Sequence, residues 1–315
     1  MTYPSTVIKG HGTGNDFVLY LDEAGKYEPD EEEIRFLCNR HFGIGADGLI
    51  RLTKPEFVSD LDDEAVTDLY NAGALWFMDY RNADGSLAEM CGNGTRVTAA
   101  LAIRYGLATV TKDEPFMLGT RAGVKVLTRL GQVEGLGKDV FTIDMGPWKM
   151  GEQGEFLVSI PGAEGSCRGT FVDMGNPHVV SVVKEPVEFA FDGYGMSMSI
   201  EINDMPDIEE LDLTRTPVVE PVLSAGQNAE FVRIDSIDTH ADAGYATMRV
   251  NERGAGETLS CGTGLCAAGV VLRARTGINN WTITVPGGTL TVSVLPDRVY
   301  LTGDARLVAQ VKLWS

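Results

Sequence analysis

A chain of 315 residues is long enough for two ordinary domains, each with its own core, and its formal net charge of -19 excludes the basic stripe that nucleic-acid binding requires. The acidic excess reads as a solubility feature, with runs such as 28–33 and 60–64 forming solvated faces. Residues 1–9 lack a long apolar core and no run approaches the ~20 apolar residues of a membrane helix, so the expectation is a cytoplasmic protein with no leader and no membrane contact.

Residues 5–9 alternate as a strand, 10–14 turn on glycines, and 17–21 read as the returning strand, with Asn15 at the edge of the turn. Asp30 with Glu33 three residues on marks a capped helix start. Ile34, Leu37, Cys38 and His41 then fall on one helical face, which predicts core or boundary positions for Cys38 and His41. Gly43, Gly45 and Gly48 fit the spacing of a dinucleotide fingerprint, but that fingerprint follows a strand and opens a helix. This one follows a helix and leads into the strand-like 49–52, so the dinucleotide reading is rejected. The acidic stretch 55–71 is expected to be a loop without chemistry.

Residues 76–80 and 86–90 read as strands joined through Asn82-Ala83-Asp84-Gly85, whose Asp-Gly pair is a hairpin signal. Asn82 there also suits plain turn chemistry. Next comes Met90-Cys91-Gly92-Asn93-Gly94-Thr95-Arg96 and an apolar, helix-like segment at 97–105. Strand-like runs follow at 124–130, 140–144 and 156–160, and the crossing into a second domain is placed within 131–138. In the second half, 171–174 lead into Gly175-Asn176-Pro177-His178 and a strand at 179–183. Pro217, Pro221 and Gly226 break up the connection to Asn228, and 231–234 and 245–250 read as strands. Ser260-Cys261-Gly262-Thr263-Gly264 then repeats the first cysteine motif, again ahead of an apolar helix, at 265–274. Strands at 281–285, 290–295 and 299–301 finish the pattern, with Pro286-Gly287-Gly288 as a turn.

Both cysteine motifs place a thiol at a helix entrance, where free amides and the helix dipole favour thiolate over thiol. The glycines that follow leave backbone amides open to a carboxylate. A single such cysteine would be weak evidence, since free cysteine is most often inert packing. Two copies suggest a pseudo-symmetric pair of units serving one site. The full set, Cys38, Cys91, Cys167, Cys261 and Cys266, is odd in number and sparse, unlike a secreted disulfide framework. The four histidines have no zinc-ligand spacing and no lysine signals a pyridoxal site, so neither metal nor cofactor is expected.

Six blocks in order carry a family resemblance: 12–17 (Gly-Thr-Gly-Asn-Asp-Phe), 43–48 (Gly-Ile-Gly-Ala-Asp-Gly), 82–86 (Asn-Ala-Asp-Gly-Ser), the first cysteine motif, 175–178 (Gly-Asn-Pro-His) and 252–258 (Glu-Arg-Gly-Ala-Gly-Glu-Thr). On these the chain resembles the diaminopimelate epimerase family of pyridoxal-phosphate-independent amino-acid racemases. The resemblance implies an α+β fold of two pseudo-symmetric lobes, each a mostly antiparallel sheet wrapped around a central helix, with the active site in the cleft between them. It implies lobes at 1–134 and 135–304, with 305–315 returning to the first, and a homodimer as family precedent. It implies interconversion of LL- and meso-diaminopimelate, a step in lysine and peptidoglycan precursor biosynthesis.

Inverting a carbon that bears hydrogen needs a base on one face and an acid on the other, and Cys91 and Cys261 are the matched pair for it. By resemblance His178 partners the first thiol and Glu252 the second. The amides of Gly92-Asn93 and Gly262-Thr263 suit the α-carboxylate, where they would take up the charge that grows as the α-proton leaves. Asn15, Asn82, Asn176, Asn228, Glu252 and Arg253 match family positions that hold the distal amino-acid head, Arg253 being the discriminating residue. One departure is Gly48, where many relatives carry glutamine. Two alternatives compete. A proline or hydroxyproline racemase would have His where this chain has Asn93 and would lack the block at 252–258, and a non-catalytic redox or binding protein would use the two cysteines as a switchable disulfide.

Overall fold

The structure is a computed structural model, and it describes residues 3–184 and 204–314. In chain order the elements are β1 (Thr6–Gly12), β2 (Asn15–Asp22), α1 (Glu31–Cys38), β3 (Gly48–Thr53), α2 (Asp63–Asn71), β4 (Trp76–Asn82), α3 (Gly92–Arg104), β5 (Phe116–Thr120), β6 (Gly123–Val133) and β7 (Gly137–Gly146). There follow β8 (Lys149–Met150), β9 (Phe156–Ser159), β10 (Cys167–Asp173), β11 (Pro177–Lys184), β12 (Val218–Glu220), β13 (Asn228–Asp238), β14 (Ala243–Glu252), β15 (Gly256–Thr258), α4 (Gly262–Thr276), β16 (Asn280–Val285), β17 (Gly288–Val294), β18 (Val299–Asp304) and β19 (Arg306–Lys312). The chain divides into two compact units, Met1–Asp144 with Thr302–Ser315, and Met145–Leu301. Residues 131–138, the crossing suggested by sequence, span the end of β6, the hairpin turn and the start of β7, and the division falls after Asp144.

In the first unit β19, β1, β2, β3, β4, β5 and β6 lie side by side, paired antiparallel, antiparallel, parallel, antiparallel, parallel, antiparallel. The second unit places β9, β10, β11, β13, β14, β16 and β17 in the same series of pairings. The pseudo-symmetry suggested by two short cysteine motifs is therefore a symmetry of whole sheets. Each sheet is mostly antiparallel, and the overall class is the expected α+β.

Each unit is organised around one helix. Almost every residue of α3 from Gly92 to Ala102 is buried, and α4 is buried from Gly264 to Leu272. α3 packs against strands β1 to β6 and β19 of its own unit, and its buried Thr95, Arg96 and Thr98 find hydrogen-bond partners within the helix. Close approach is enforced by small residues: a Cβ at Gly10 would lie 2.8 Å from Val97 Cγ1, and one at Gly269 would lie 2.6 Å from Val292 Cγ1. The sheet of the first unit is covered on its other face by α1, whose Ile34, Leu37 and Cys38 join Val7, Val18, Tyr20, Ala46 and Leu49 in one core. Every residue of β3 is buried, including Arg51 and Thr53, which hydrogen-bond the Asp22 carboxylate and the Asp22 carbonyl respectively.

The capping box of α1 forms as expected: Glu33 N–H donates to Asp30 at 2.8 Å and Asp30 N–H donates back to Glu33 at 3.4 Å. Three local expectations are corrected. His41 lies beyond the end of α1 and is exposed, because the helix stops at Cys38 and the chain extends at Asn39. The stretch 55–71 is not all loop, since Asp62 caps α2 by accepting from Ala65 N–H at 2.8 Å. Residues 86–90 are not a strand: after Asn82 only Leu87 bridges back, to Arg81.

Candidate active site

Cys91 is the N-cap residue of α3, with extended backbone angles, and Cys261 holds the same place on α4. Gly94 N–H donates to Cys91 Sγ at 3.4 Å and Gly264 N–H to Cys261 Sγ at 3.4 Å. The sulfur thus takes the place usually held by a serine or aspartate oxygen. An unbranched glycine three positions on lets that amide reach the larger atom, and the amides of Gly92-Asn93 and Gly262-Thr263 lie in the uncapped first turn. Both motifs therefore stand where sequence placed them, at helix entrances.

Around Cys91 the first unit gathers Asn15 and Asn93. Asn15 Oδ1 lies 3.4 Å from Cys91 Sγ and 3.3 Å from Asn93 Nδ2, so it accepts from both. The orientation of that amide is fixed from its other end: Asn15 Nδ2 donates at 2.8 Å to the carboxylate of Asp47, which can only accept. Asp47 also receives Asp16 N–H and is paired with Arg40. Asp16 holds Arg40 and Lys9 in turn. Burial pushes the Asp16 carboxyl up, but the hydrogen bonds from Arg40 and Lys9 outweigh it and bring it down to about 2. Beneath this layer the buried Arg96 donates to Thr13 Oγ1 at 3.0 Å and to Asn93 Oδ1 at 2.8 Å, tying the β1–β2 turn to the first turn of α3.

Asn82 ends β4 opposite Gly48, and its amide donates to Ser86 Oγ at 3.0 Å. At Gly48 any side chain is obstructed: a Cβ there would sit 2.6 Å from both Arg81 O and the Tyr80 ring. The buried Tyr80 ring, packed edge-on against Phe17 at 5.7 Å, occupies the neighbourhood instead. Glutamine at this position is thus incompatible with the present arrangement of β3 and β4.

In the second unit Glu252, at the end of β14, hydrogen-bonds the Cys261 thiol and accepts from Thr258 Oγ1. Burial raises the Glu252 carboxyl above its ordinary value, only partly offset by those two bonds. The Cys261 thiol, 5 % exposed, is pushed well above the usual thiol range by burial first and by the Glu252 and Glu230 carboxylates second. The amide of Gly264 and the hydroxyl of Thr263 act the other way and lower it.

His178 is fully buried near the start of β11. Its Nε2 lies 3.0 Å from Asn176 Oδ1, Asn176 Nδ2 donates to Thr263 Oγ1 at 3.4 Å, and Thr263 Oγ1 lies 3.5 Å from Cys261 Sγ. A chain of polar atoms thus runs from His178 to the second thiol. Asn228, paired with His178 across β11 and β13, approaches Nδ1 at 3.5 Å and accepts from Arg253 N–H at 2.9 Å. Arg253 is exposed, its guanidinium donating to Ala225 O at 2.6 Å. Sequence reasoning missed two polar residues here. Asp47 orients Asn15, and the wholly buried Glu230 lies 2.7 Å from His178 Nδ1. A charged residue inside the otherwise apolar 229–232 was the available signal for Glu230.

The sequence model of a family described as diaminopimelate epimerase matches residues 7–150 and 200–308. Curated relatives of that name include those of Thermobifida fusca, 37 % identical over 306 residues and covering 96 % of this chain and 95 % of its own, and Mycolicibacterium paratuberculosis, 38 % identical over 310 residues, covering 96 % and 94 %. That of Streptomyces coelicolor is 35 % identical over 314 residues, covering 96 % and 93 %. Among solved structures, the chain resembles a probable proline racemase from Agrobacterium radiobacter with a TM-score of 0.60 at 14 % identity, covering 98 % of this chain and 92 % of the other. A hydroxyproline epimerase from Agrobacterium vitis gives 0.58 at 14 % identity, covering 97 % and 91 %. At that identity the likeness concerns fold alone.

Proposed function

The chain belongs to the diaminopimelate epimerase family, and from that membership we propose that it interconverts LL-2,6-diaminopimelate and meso-diaminopimelate by a cofactor-independent two-base reaction, in lysine and peptidoglycan precursor biosynthesis. The observation that carries the reading is the repeated cap: two enclosed helices, each opened by a cysteine sulfur held by the amide three residues on.

The chemistry follows from those two sulfurs. One, as thiolate, takes the α-proton, so a C–H bond breaks and an S–H bond forms. The other, as thiol, delivers its proton to the opposite face of the same carbon, and the roles exchange in the reverse direction. Nothing is oxidised or reduced. The α-hydrogen is weakly acidic, so charge growing on the carbon and its carboxylate needs fixed donors, and the amides of Gly92-Asn93 and Gly262-Thr263 are the donors proposed. His178 is proposed as the proton partner of the Cys91 thiol and Glu252 as that of the Cys261 thiol, to which it is bonded. Asn15, Asn82, Asn176, Asn228, Glu252 and Arg253 are proposed to hold the distal head, Arg253 through its exposed guanidinium. No described helix is long and apolar enough to cross a membrane. A cytoplasmic setting and a homodimer complete the proposal, the latter tested by sedimentation.

The deciding experiment is solvent exchange. Incubated with LL-diaminopimelate in heavy water, without pyridoxal phosphate or metal, the protein is expected to place deuterium at one α-carbon. Unlabelled diaminopimelate sinks the reading, and label entering proline instead would transfer the chain to the proline racemase branch of the fold.

A further inference from the structure

The two sheets match strand for strand, so a residue on one has a counterpart on the other, and one such pair breaks the symmetry. Phe17 pairs with Gly48 across β2 and β3 as His178 pairs with Asn228 across β11 and β13. Two residues further on stand Ile50 and Glu230. Each lies under the first turn of its unit's enclosed helix: a Cβ at Gly94 would come 3.1 Å from Ile50 Cδ1, and one at Gly264 would come 2.5 Å from Glu230 Oε1. The same place beneath a cysteine-capped helix thus holds a methyl group in one unit and a carboxylate in the other.

Glu230 is wholly buried and binds His178 Nδ1 at 2.7 Å through Oε1, while its Oε2 finds no hydrogen-bond partner among the described residues. An ionisable group so buried is costly unless it is used. The titratable groups facing it are His178 from β11, Glu252 from β14 and Cys261 at the head of α4. The 2.7 Å contact between Nδ1 and the Glu230 carboxyl fixes the plane of the imidazole and sets Nε2 3.0 Å from Asn176 Oδ1, the start of the polar chain to Thr263 and Cys261.

We propose that Glu230 is a positioning residue: it clamps His178 by Nδ1 and, as a carboxylate beneath the entrance of α4, holds Cys261 in its proton-bearing form. At the equivalent place beneath α3 stands Ile50. The two helix entrances are thereby unequal beneath their first turns. Cys261 is made the harder thiol to ionise, while the thiol that acts as base in a given turnover is still the one facing the α-hydrogen of the bound isomer. This rests on the two-base reading, though its first test does not.

The test is a thiolate titration by ultraviolet absorbance in Cys91→Ala, with and without Glu230→Gln. Cys38, Cys167 and Cys266 are replaced by alanine in both proteins, because burial raises Cys38 to about 12 and Cys167 to about 11 and their ionisation would overlap that of Cys261. In the protein carrying Glu230→Gln the Cys261 ionisation is expected to move down by about one pH unit or more, about tenfold more thiolate at a given pH. Coincident titrations of two folded variants would overturn the proposal. Should the glutamine variant not fold, nitrogen NMR of His178 in the unaltered chain decides. A Nδ1 signal of a carboxylate-bound ring is expected, and that of a free neutral imidazole overturns the clamp. Heavy-water exchange by the unaltered chain is run beside it, so that failure of the epimerase reading is seen separately from failure of the Glu230 assignment.

Discussion

Replacing either Cys91 or Cys261 with alanine removes a proton carrier that nothing else at its helix entrance duplicates. Each variant is expected to lose about 10²- to 10⁴-fold in epimerisation, the usual worth of a positioned acid or base, measured by deuterium uptake. A single variant that keeps full activity would contradict the two-base scheme. Asp16 offers a pH prediction. Its carboxyl is lowered from 3.8 to about 2, so the folded state binds its proton less readily than the unfolded chain does. Its contribution to stability is complete above 3.8 and is lost as pH falls towards about 2. Urea unfolding should therefore show the unaltered chain exceeding Asp16→Asn near neutrality, with the gap closing in that acid window. At this scale the sequence displayed the cysteines, Asn15, His178 and Glu252 through their motifs. Asp47 and Glu230 were hidden because each acts through a neighbour, Asn15 and His178, that only the pairing of distant strands brings near.

Among the elements, the glycines of the cysteine motifs have unequal burdens. Alanine at Gly264 would drive a methyl group to 2.5 Å from the Glu230 carboxylate, whereas at Gly94 it would meet only the flexible tip of Ile50 at 3.1 Å. Gly264→Ala is expected to cost about 1–3 kcal/mol by overpacking. Gly94→Ala should stay within ~1 kcal/mol, since alanine's better helix propensity offsets a contact that can yield. Thermal unfolding of both variants checks the order, and Glu230→Ala should restore part of the loss at Gly264 alone. Asp30→Ala, which opens the capping box of α1, should cost about 1 kcal/mol in denaturant unfolding. That box was legible because its donors and acceptors are three residues apart. Helix α2 was not: its apolar face is short, Ala65, Val66 and Leu69 with Leu69 alone buried, and Asp62 as a cap was lost in an acidic run.

For the whole molecule, the repeated series of strand pairings could not be read from two short cysteine motifs, because parallel pairs such as β2–β3 and β11–β13 join segments far apart in the chain. What the motifs did disclose was the element each sheet surrounds. The closing strand gives a test at this scale. β19 pairs with β1 along its length, and Leu313 N–H donates to Ser5 O at 2.8 Å. Deleting residues 305–315 should therefore expose the edge of β1 and raise amide exchange through the first unit, while Met145–Leu301 retains its protection.

The position of β19 also bears on how the protein is born. The first unit begins to emerge from the ribosome before the second, yet the strand that borders its opening one is synthesised after all of Met145–Leu301. During synthesis the later-made unit can mature while the earlier-made one waits with a bare β1 margin. That interval, set by the time needed to translate the intervening unit, is when a nascent chain of this kind has most need of a chaperone.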